Sequence, residues 1–298
     1  MIFSPTPLEF YTFRDIKIFV KRDDLISEDF SGNKARKFEY FLSRDFPNIN
    51  KIVSYGSNQS NAMYSLSVLA KIKGWEFIYF CDHIPIFLKQ NPVGNYKYAL
   101  QNGMQIFTTD TKSKDAYNLK NKNSIIIEEG GRQKESEYGL KRLANELLVD
   151  IEKNDIKNPY LFLPSGTGVT ALFLQKYLPF NVYTCSTVGD EDYLKIQWDM
   201  LNEEVKNYPT ILNSKKKYHY GKLYFEAYKI WQELKEEIGL EFDLLYDPIG
   251  WIKFLENIDK LKGTPIYLHQ GGVKGNESMK ARYERKYGKI GRNTIWEK

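Results

Sequence analysis

The sequence predicts an α/β protein in which parallel sheets are covered by helices. Short apolar runs alternate with longer segments of helical periodicity, as is typical of parallel strands joined by helices. Several of the apolar runs also end in small polar residues directly before a helix. The chain has 298 residues, a length at which about two domains are expected. Its 42% hydrophobic share excludes a disordered chain.

Local residue chemistry supports the individual elements. Ser31-Gly32-Asn33 can cap the first predicted helix, and Gly74 and Gly103 can end two later ones. Asn91-Pro92 breaks the chain before the helix that ends at Gly103. The predicted strands are 17–25, 51–56, 75–81, 104–109, 124–131, 160–164 and 181–188. The predicted helices are 34–46, 57–74, 94–103, 135–153, 170–178 and 223–239, and 265–288 reads as strand, glycine turn and helix.

Composition excludes several other classes of protein. Cys81 and Cys185 provide no disulfide framework and fit a reducing compartment. The three histidines match no zinc-ligand spacing, so no metal site is predicted. No apolar run of about 18 residues predicts a membrane span. Residues 1–13 lack the regions of a signal peptide, so we expect a mature N-terminus and a soluble, cytoplasmic protein.

The net charge of +5 raises the alternative of a nucleic-acid-binding protein. However, most of the 43 basic residues are lysines, whereas arginine makes the bidentate contacts that read bases and hold phosphates. The one dense run, 215–217, lies in a polar stretch and is interpreted as a solvated loop. Nucleic acid is therefore not an expected partner.

Lys34 is the first candidate for chemistry. It lies in the first turn of a predicted helix, where the positive end of the helix dipole disfavours the charged form of an amine. An amine with a lowered pKa is a good Schiff-base nucleophile. When the segment is considered alone, a surface lysine beside a turn is the alternative.

Two further segments have the chemistry of anion sites at helix N-termini. Residues 56–61 follow a strand with amides and hydroxyls that suit a carboxylate or a phenolate, although a polar cap without a ligand is the alternative. Residues 165–170, Ser-Gly-Thr-Gly-Val-Thr, follow the strand at 160–164 and suit a phosphate. They match neither a P-loop nor the dinucleotide fingerprint, so a phosphate monoester is the expected guest.

A fourth segment, 269–272, follows a strand with the sequence His-Gln-Gly-Gly and could bring a side chain and backbone close to a ligand. A structural histidine is the alternative reading of this segment alone. The four segments together combine a Schiff-base lysine, a phosphate site and a carboxylate site. This combination points to pyridoxal 5′-phosphate (PLP), which requires a lysine, a phosphate site and a partner for its ring nitrogen.

At these segments the chain resembles a known family, the 1-aminocyclopropane-1-carboxylate (ACC) deaminase and D-cysteine desulfhydrase family. That family belongs to the tryptophan synthase β-like group, fold type II of the PLP enzymes. The resemblance spans nearly the whole chain, because the matching segments occur in family order. They are KRDDL…SGNKARKFEY, SYGSNQSNAMYSLSVLAKIKGW, GNYKYAL…GM, EEGG…YGLKRLANEL, PSGTGVTALFL, YDPIGWIKF and LHQGGVKG.

The resemblance implies a role for each matching residue. Lys34 would bind PLP covalently and move protons at the substrate carbon, and Asn61 would hydrogen-bond the phenolic oxygen of the cofactor. The remaining implied cofactor ligands are Lys37, Gly166, Thr167, Gly168, Thr170 and Gln270. The substrate carboxylate would be held by Ser60, Gln59 and Asn58.

This chain departs from the family at four positions. Ala62 stands where Gln or His is common, and Gln270 stands where desulfhydrase-like members have Thr. Gly250 and Trp251 occupy the positions of the Tyr-Glu pair of ACC deaminases, and Tyr246 could replace that Tyr only if the backbone shifted. The special acid–base groups for opening the ACC ring are therefore missing or relocated.

The sequence thus favours a PLP-dependent lyase or deaminase acting on a small amino acid. D-cysteine desulfhydrase-like β-elimination would give a 2-oxo acid, ammonia and, from cysteine, sulfide. The alternatives are ACC deaminase and a catalytically divergent PLP-binding protein.

The predicted architecture follows the family. A large PLP-binding domain would comprise 1–50 and 148–298, and a smaller α/β domain, 51–147, would be inserted into it. The resemblance also implies a homodimer, and no membrane is expected as a partner.

Overall fold

Two β-sheets flanked by helices organise the chain in a computed structural model, which describes residues 3–30, 32–201 and 206–288. The strands are β1 (Leu8–Phe13), β2 (Ile16–Arg22), β3 (Lys51–Tyr55), β4 (Glu76–Cys81), β5 (Met104–Thr108), β6 (Ser124–Ile127), β7 (Pro159–Ser165), β8 (Val182–Ser186), β9 (Thr210–Ile211) and β10 (Thr264–His269). The helices are α1 (Gly32–Ser43), α2 (Asn61–Lys73), α3 (Ile86–Gln90), α4 (Gly94–Gln101), α5 (Lys112–Asn118), α6 (Ser136–Lys153), α7 (Val169–Tyr177), α8 (Glu191–Asp199), α9 (Phe225–Glu237), α10 (Asp247–Asn257) and α11 (Asn276–Tyr287).

The larger sheet has the strand order β1-β2-β10-β7-β8-β9 and is covered on both faces. Along β7 and β10 successive side chains point to opposite faces, as the strand period requires. Leu161 and Ile266 pack with α6 and α7 on one face, whereas Phe162 and Tyr267 pack with α9 and α10 on the other. Such double burial is typical of parallel sheets, and it confirms the predicted α/β class.

The smaller sheet has the order β5-β4-β3-β6, and its strand pairs are all parallel. Its strands come from residues 51–127, and those of the larger sheet come from 8–22 and 159–269. Helix α6 follows the smaller sheet in sequence but packs against α1 and α7. The domain boundaries at 50/51 and 147/148 stay a prediction.

One edge of the larger sheet differs from the predicted parallel arrangement. β1 and β2 form an antiparallel hairpin in which Phe13 is paired with Ile16. The two turn residues, Arg14 and Asp15, have φ values of 47° and 62°. A two-residue turn with both φ values positive matches the right-handed strand twist. The sequence analysis did not predict β1, because Arg-Asp lacks the glycine that usually marks such a turn.

Other elements were placed approximately by the sequence analysis. Helix α1 begins at Gly32 and ends at Ser43, and Ser31, one of its predicted cap residues, lies outside the described residues. Helix α2 ends at Lys73, and the left-handed conformation of the next residue, Gly74 (φ 68°), confirms the predicted C-cap. The predicted strand 124–131 is extended only to Ile127. Helices α3, α5, α8 and α10 were not predicted. In the described part of the chain, no helix is both long and apolar enough to cross a membrane.

A buried ion network fixes α1 in the fold. Arg36 is fully buried; its Nη2 lies 2.9 Å from Oδ1 of Asp23, and its Nη1 lies 2.6 Å from Oε1 of Glu146. Asp23 is also fully buried and accepts a hydrogen bond of 2.7 Å from the Thr6 hydroxyl. The guanidinium on α1 therefore links Asp23, which follows β2, to Glu146 on α6.

We expect the loss of an ion pair in this buried network to lower the free energy of unfolding much more than the loss of an exposed ion pair. Replacing Asp23→Asn should lower the free energy of unfolding by about 3 kcal/mol, because the buried Arg36 charge loses its carboxylate partner. Urea unfolding of the two proteins measures the change. Asp155→Asn is the control, because its partner Lys157 is exposed and exposed pairs contribute little. Equal midpoints for the two variants would contradict the stabilising role of the network.

Candidate active site

One pocket collects most of the predicted site residues. It lies at the carboxyl ends of parallel strands from both sheets, where ligands bind in α/β proteins. The predicted residues that line it are Lys34, Lys37, Ser60, Asn61, Gly166, Thr167, Gly168, Thr170 and Gln270.

Lys34 lies in the first turn of α1, as predicted, and its Nζ donates a 3.1 Å hydrogen bond to the carbonyl oxygen of Gly130. Burial lowers the pKa of Lys34 to about 8, and Asp243 acts in the opposite direction. Burial, rather than the helix dipole invoked from the sequence, is therefore the main cause of the low pKa. At mildly alkaline pH much of this amine is unprotonated and nucleophilic.

The backbone before Lys34 is held against the end of β10. The amide N–H of Asn33 donates to the carbonyl oxygen of Gln270 at 3.0 Å. Gly32 has φ 65°, and a Cβ there would lie 1.7 Å from that same oxygen. Only glycine permits this close approach, so Gly32 sets the position at which α1 and its lysine begin.

Lys37 lies one helical turn after Lys34 and is buried. Its Nζ donates to the same Gly130 oxygen at 3.0 Å. Burial and then the charge of Lys34 lower the pKa of Lys37 well below its usual value. Two amines thus share one neutral acceptor, and only one of them is readily charged.

Residues 165–170, the predicted phosphate cradle, span the junction between β7 and α7. Gly168 has φ 71°, and a Cβ on it would lie 2.3 Å from Nε1 of Trp198, so this position requires glycine. The Oγ1 atom of Thr170 is buried and has no hydrogen-bond partner among the described residues. An unpaired buried hydroxyl is costly, and a bound anion would provide the missing partner. Because Thr170 stands in the first turn of α7, its environment fits a phosphate group.

The side-chain amide of Asn61 is hydrogen-bonded at both its oxygen and its nitrogen. Its Oδ1 accepts a 2.6 Å hydrogen bond from Nδ2 of Asn95, and its Nδ2 donates a 2.8 Å hydrogen bond to Oδ2 of Asp243. These contacts fix the orientation of the amide and leave its second Nδ2 hydrogen for a further acceptor. Ser60 beside it caps α2 by accepting from the backbone N–H of Ala62 at 3.1 Å.

Asn58 and Gln59 do not line the pocket, in contrast to the other predicted residues. Nδ2 of Asn58 donates to the carbonyl oxygen of His83 at 2.7 Å, and Nε2 of Gln59 donates to that of Val93 at 3.1 Å. Both side chains therefore tie the β3–α2 loop to neighbouring loops of the smaller sheet. Ser57 lines the pocket beside Ser60 instead.

Gln270 lines the pocket as a bridge between segments. Its Nε2 donates to the carbonyl oxygen of Pro164 at 2.7 Å, and its Oε1 accepts from Nδ2 of Asn33 at 2.8 Å. The amide thereby joins the strand before the phosphate cradle to the start of α1. Its predicted contact with a ring nitrogen stays a prediction.

The positions of the family's Tyr-Glu pair serve the core in this chain. Trp251 is fully buried and stacks on Tyr267 at 4.4 Å, and a Cβ on Gly250 would lie 2.9 Å from Cβ of Pro164. Tyr246, one turn earlier, does line the pocket, and its hydroxyl lies 3.0 Å from that of Tyr220. A tyrosine is thus present at the pocket, but it comes from a different position in the sequence than the Tyr of the family's pair.

The sequence analysis did not identify several other pocket residues, among them Glu129, Asp243 and Tyr220. Asp243 is buried in the segment EFDLLYD, where acidic and apolar residues are mixed, so the sequence around it gives no clear signal of a site. Glu129 is the second residue after the end of β6, near the end of a strand where binding residues are common. Within the described ranges, no cluster of His, Cys, Asp and Glu could hold a metal ion.

The negative charge of Asp243 acts on the Lys34 amine, so its removal should change the reactivity of Lys34. Because the Asp243 charge raises the pKa of Lys34, Asp243→Asn should move that pKa below about 8. In the cofactor-free protein, the pH midpoint for labelling of Lys34 by an amine reagent, followed by mass spectrometry, should fall. Glu241→Gln removes a charge two residues earlier, outside the pocket, and should leave the midpoint in place. A midpoint that rises or does not move in Asp243→Asn would refute the assignment.

Comparisons with known proteins find similar sequences over most of the chain. Two curated proteins, both named "Putative 1-aminocyclopropane-1-carboxylate deaminase", are similar over 87% of this chain and 85% of their own length. The one from Pyrococcus furiosus is 25% identical and the one from Pyrococcus horikoshii is 22% identical. No protein-family model matches the chain.

Solved structures share the fold over almost the entire chain. A crystal structure described as an ACC deaminase homologue covers 94% of this chain and 93% of its own, with a TM-score of 0.75 and 18% identity. A crystal structure of a T.th. threonine deaminase covers 90% of this chain and 92% of its own, with a TM-score of 0.65 and 14% identity. The predicted resemblance is confirmed: the chain is similar over most of its length to proteins named as putative ACC deaminases, and it has the tryptophan synthase β-like fold of type II PLP enzymes.

Proposed function

We propose that this protein is a PLP-dependent lyase or deaminase that acts on a small amino acid. The observation that carries the proposal is the presence of two complementary groups in one pocket. Lys34 supplies an amine with a pKa of about 8, and the cradle at 165–170 supplies the unpaired Thr170 hydroxyl. An amine for a Schiff base and a site for a phosphate monoester are the two attachment points that PLP needs.

The residues present fit the cofactor. Lys34 would hold it covalently, the backbone of Gly166 to Gly168 with the Thr170 hydroxyl would hold the phosphate, and the free amide hydrogen of Asn61 would meet the phenolic oxygen. When bound, PLP supplies an electron sink for negative charge at the α-carbon of an amino acid. Lys37, whose amine lies beside the cradle, would add a positive charge when a phosphate raises its pKa.

The chain's own groups account for the remaining steps. Ser57 and Ser60, at the N-terminus of α2, can donate hydrogen bonds to the substrate carboxylate. Lys34 in its neutral form takes the proton from the α-carbon, and the Gly130 carbonyl holds the amine beside the pocket. The burial that lowers the pKa of Lys34 favours this neutral form.

For the finer activity, we infer D-cysteine desulfhydrase-like β-elimination. This reaction removes an α-proton and expels a β-substituent, which demands only a base such as Lys34 and a carboxylate site. The burial of Trp251 in the core and the packing of Gly250 on Pro164 support it, because neither position presents an acid–base group to the pocket.

ACC deamination is the second candidate, and a specific contact favours it. Tyr246 and Tyr220 bring two hydroxyls within 3.0 Å of each other at the pocket, and burial raises the pKa of both. Phenols that remain protonated can donate a proton to a carbon released by ring opening. The names of the two Pyrococcus relatives point to the same substrate. A PLP-binding protein without turnover is the third candidate.

The wider setting of the enzyme is proposed from the resemblance. We propose that residues 51–147 form an inserted domain and that the cofactor pocket lies between it and the rest of the chain. A homodimer and a cytoplasmic location also follow from the resemblance and the composition.

Incubation with PLP tests the proposed function. The purified protein should gain the absorption band of a protein–PLP Schiff base, and borohydride should fix a pyridoxyl group on Lys34, as read by peptide mass spectrometry. Lys34→Ala should lose the band and reduce turnover by at least about a thousandfold, whereas Lys215→Ala in the polar stretch should change neither. Release of 2-oxo acid from ACC, D-cysteine and L-cysteine then separates the first two candidates. PLP binding without release from any amino acid would favour the third, and absence of the band would refute the proposal.

Thr170→Val should not lower the stability of the cofactor-free protein, but it should weaken the binding of PLP. Without cofactor the variant should be at least as stable as the parent, because the hydroxyl that it loses has no partner among the described residues. Its affinity for PLP should fall about tenfold, the value of roughly one hydrogen bond. Thermal unfolding with and without PLP measures both effects. Unchanged PLP affinity would show that the cradle does not bind the phosphate.

A further inference from the structure

A carboxylate that the proposed mechanism leaves unused lies in the pocket. Glu129 follows β6 and lines the pocket together with Lys34. The next residue, Gly130, supplies the carbonyl oxygen that accepts from Lys34 Nζ at 3.1 Å. A Cβ built on Gly56 would lie 3.0 Å from Oε1 of Glu129, so the carboxylate lies against the β3–α2 loop. Glu129 therefore lies in the pocket against the β3–α2 loop, one residue before the carbonyl group that accepts from the reactive amine.

This carboxylate has no partner within the described parts of the chain. Its side chain forms neither a hydrogen bond nor an ion pair there. The cations that act on it are already paired: Lys112 lies 2.8 Å from Asp82, and Arg132 lies 3.3 Å from Glu128. Burial raises the pKa of the Glu129 carboxyl, and Lys112 and Arg132 only partly offset this. A partly buried carboxylate without a partner gains from a bound cation.

Tyrosines surround the same carboxylate. Tyr193, Tyr220 and Tyr246 line the pocket, and the Tyr79 hydroxyl lies 2.6 Å from the Cβ that would be built on Gly56. Burial raises the pKa of all four phenols, and the charge of Glu129 adds to that rise. They are therefore neutral at ordinary pH. Neutral aromatic rings around one carboxylate form an environment that favours a cation over a neutral or anionic group.

We propose that Glu129 determines specificity and selects small amino acids that carry a cationic β-substituent, of which 2,3-diaminopropionate is the simplest. The substrate carboxylate would bind at Ser57 and Ser60, and its β-ammonium would bind at Glu129. An amine leaves carbon readily only when protonated, and a neighbouring carboxylate favours the protonated form. Glu129 would thus serve both recognition and departure of the leaving group.

The overall reaction balances. Lys34 removes the α-proton, the Cβ–N bond breaks, and its electron pair departs with the β-nitrogen as ammonia. Water then releases the second nitrogen from the remaining three-carbon unit. One 2,3-diaminopropionate and one water therefore give one pyruvate and two molecules of ammonia. Because this assignment rests on the proposed function, its test must distinguish the two.

The test compares two substrates of similar size. 2,3-Diaminopropionate carries a β-ammonium, whereas 3-chloroalanine carries a neutral leaving group, and both enantiomers of each are supplied to the PLP-loaded protein. Glu129→Gln should lower kcat/KM for 2,3-diaminopropionate about tenfold or more, as loss of a hydrogen bond to a charged group does. It should change kcat/KM for 3-chloroalanine less than about threefold.

The matched control is Glu128→Gln. Glu128 carries the same charge one residue earlier, but it accepts from Tyr55 and pairs with Arg132 outside the pocket. This variant should keep the ratio of the two kcat/KM values. A ratio that is unchanged in Glu129→Gln, or a parent protein that turns over only 3-chloroalanine, would overturn the role of Glu129 and leave the proposed function intact. Failure of the parent protein to bind PLP would overturn the proposed function itself.

Discussion

The cost of burying cations on one helix governs this site. Helix α1 carries Lys34, Arg36 and Lys37 within four positions, and the fold removes much of the water from all three. Arg36 is compensated by Asp23 and Glu146, which hold its pKa above the ordinary value. The two lysines share the Gly130 carbonyl oxygen and no carboxylate pairs with either of them within the described residues, so burial lowers the pKa of both. The same burial therefore produces a permanent structural charge and a reactive amine on neighbouring faces of one helix.

The site is assembled from both sheets, and few of its contacts are local. The hydrogen bond between Asn61 and Asp243 joins residues 182 positions apart, and that between Lys34 and Gly130 joins residues 96 apart. In the proposed function each segment contributes one chemical group: α1 would supply the amine, the β7–α7 loop the phosphate cradle, and the β3–α2 loop the carboxylate site. Parallel strands make this possible, because their carboxyl ends face the same side of a sheet.

Sequence reasoning located elements whose chemistry is local. The glycine and threonine positions of 165–170 could be placed in the pocket because glycines and hydroxyls at a helix start have a direct meaning for backbone geometry, whereas phosphate binding there stays a prediction. Asn58 and Gln59 belong to an equally suggestive run, yet side-chain direction within a loop depends on distant neighbours, here the carbonyls of His83 and Val93. Asp243 and Glu129 could not be assigned for the same reason. Their significance arises from groups remote in sequence, whereas the family resemblance concerns the segments that keep their local form.

The shared acceptor of Lys34 and Lys37 has a consequence for the order of binding events. An anion in the cradle stabilises a proton on Lys37, because the two opposite charges are then neighbours. The charge gained by Lys37 repels a charge on Lys34, since each amine donates to the same Gly130 oxygen. Occupation of the cradle therefore favours release of a proton from Lys34. If the proposed function holds, docking of a phosphate at one end of the pocket would prepare the nucleophile at the other and so promote attachment by the amine.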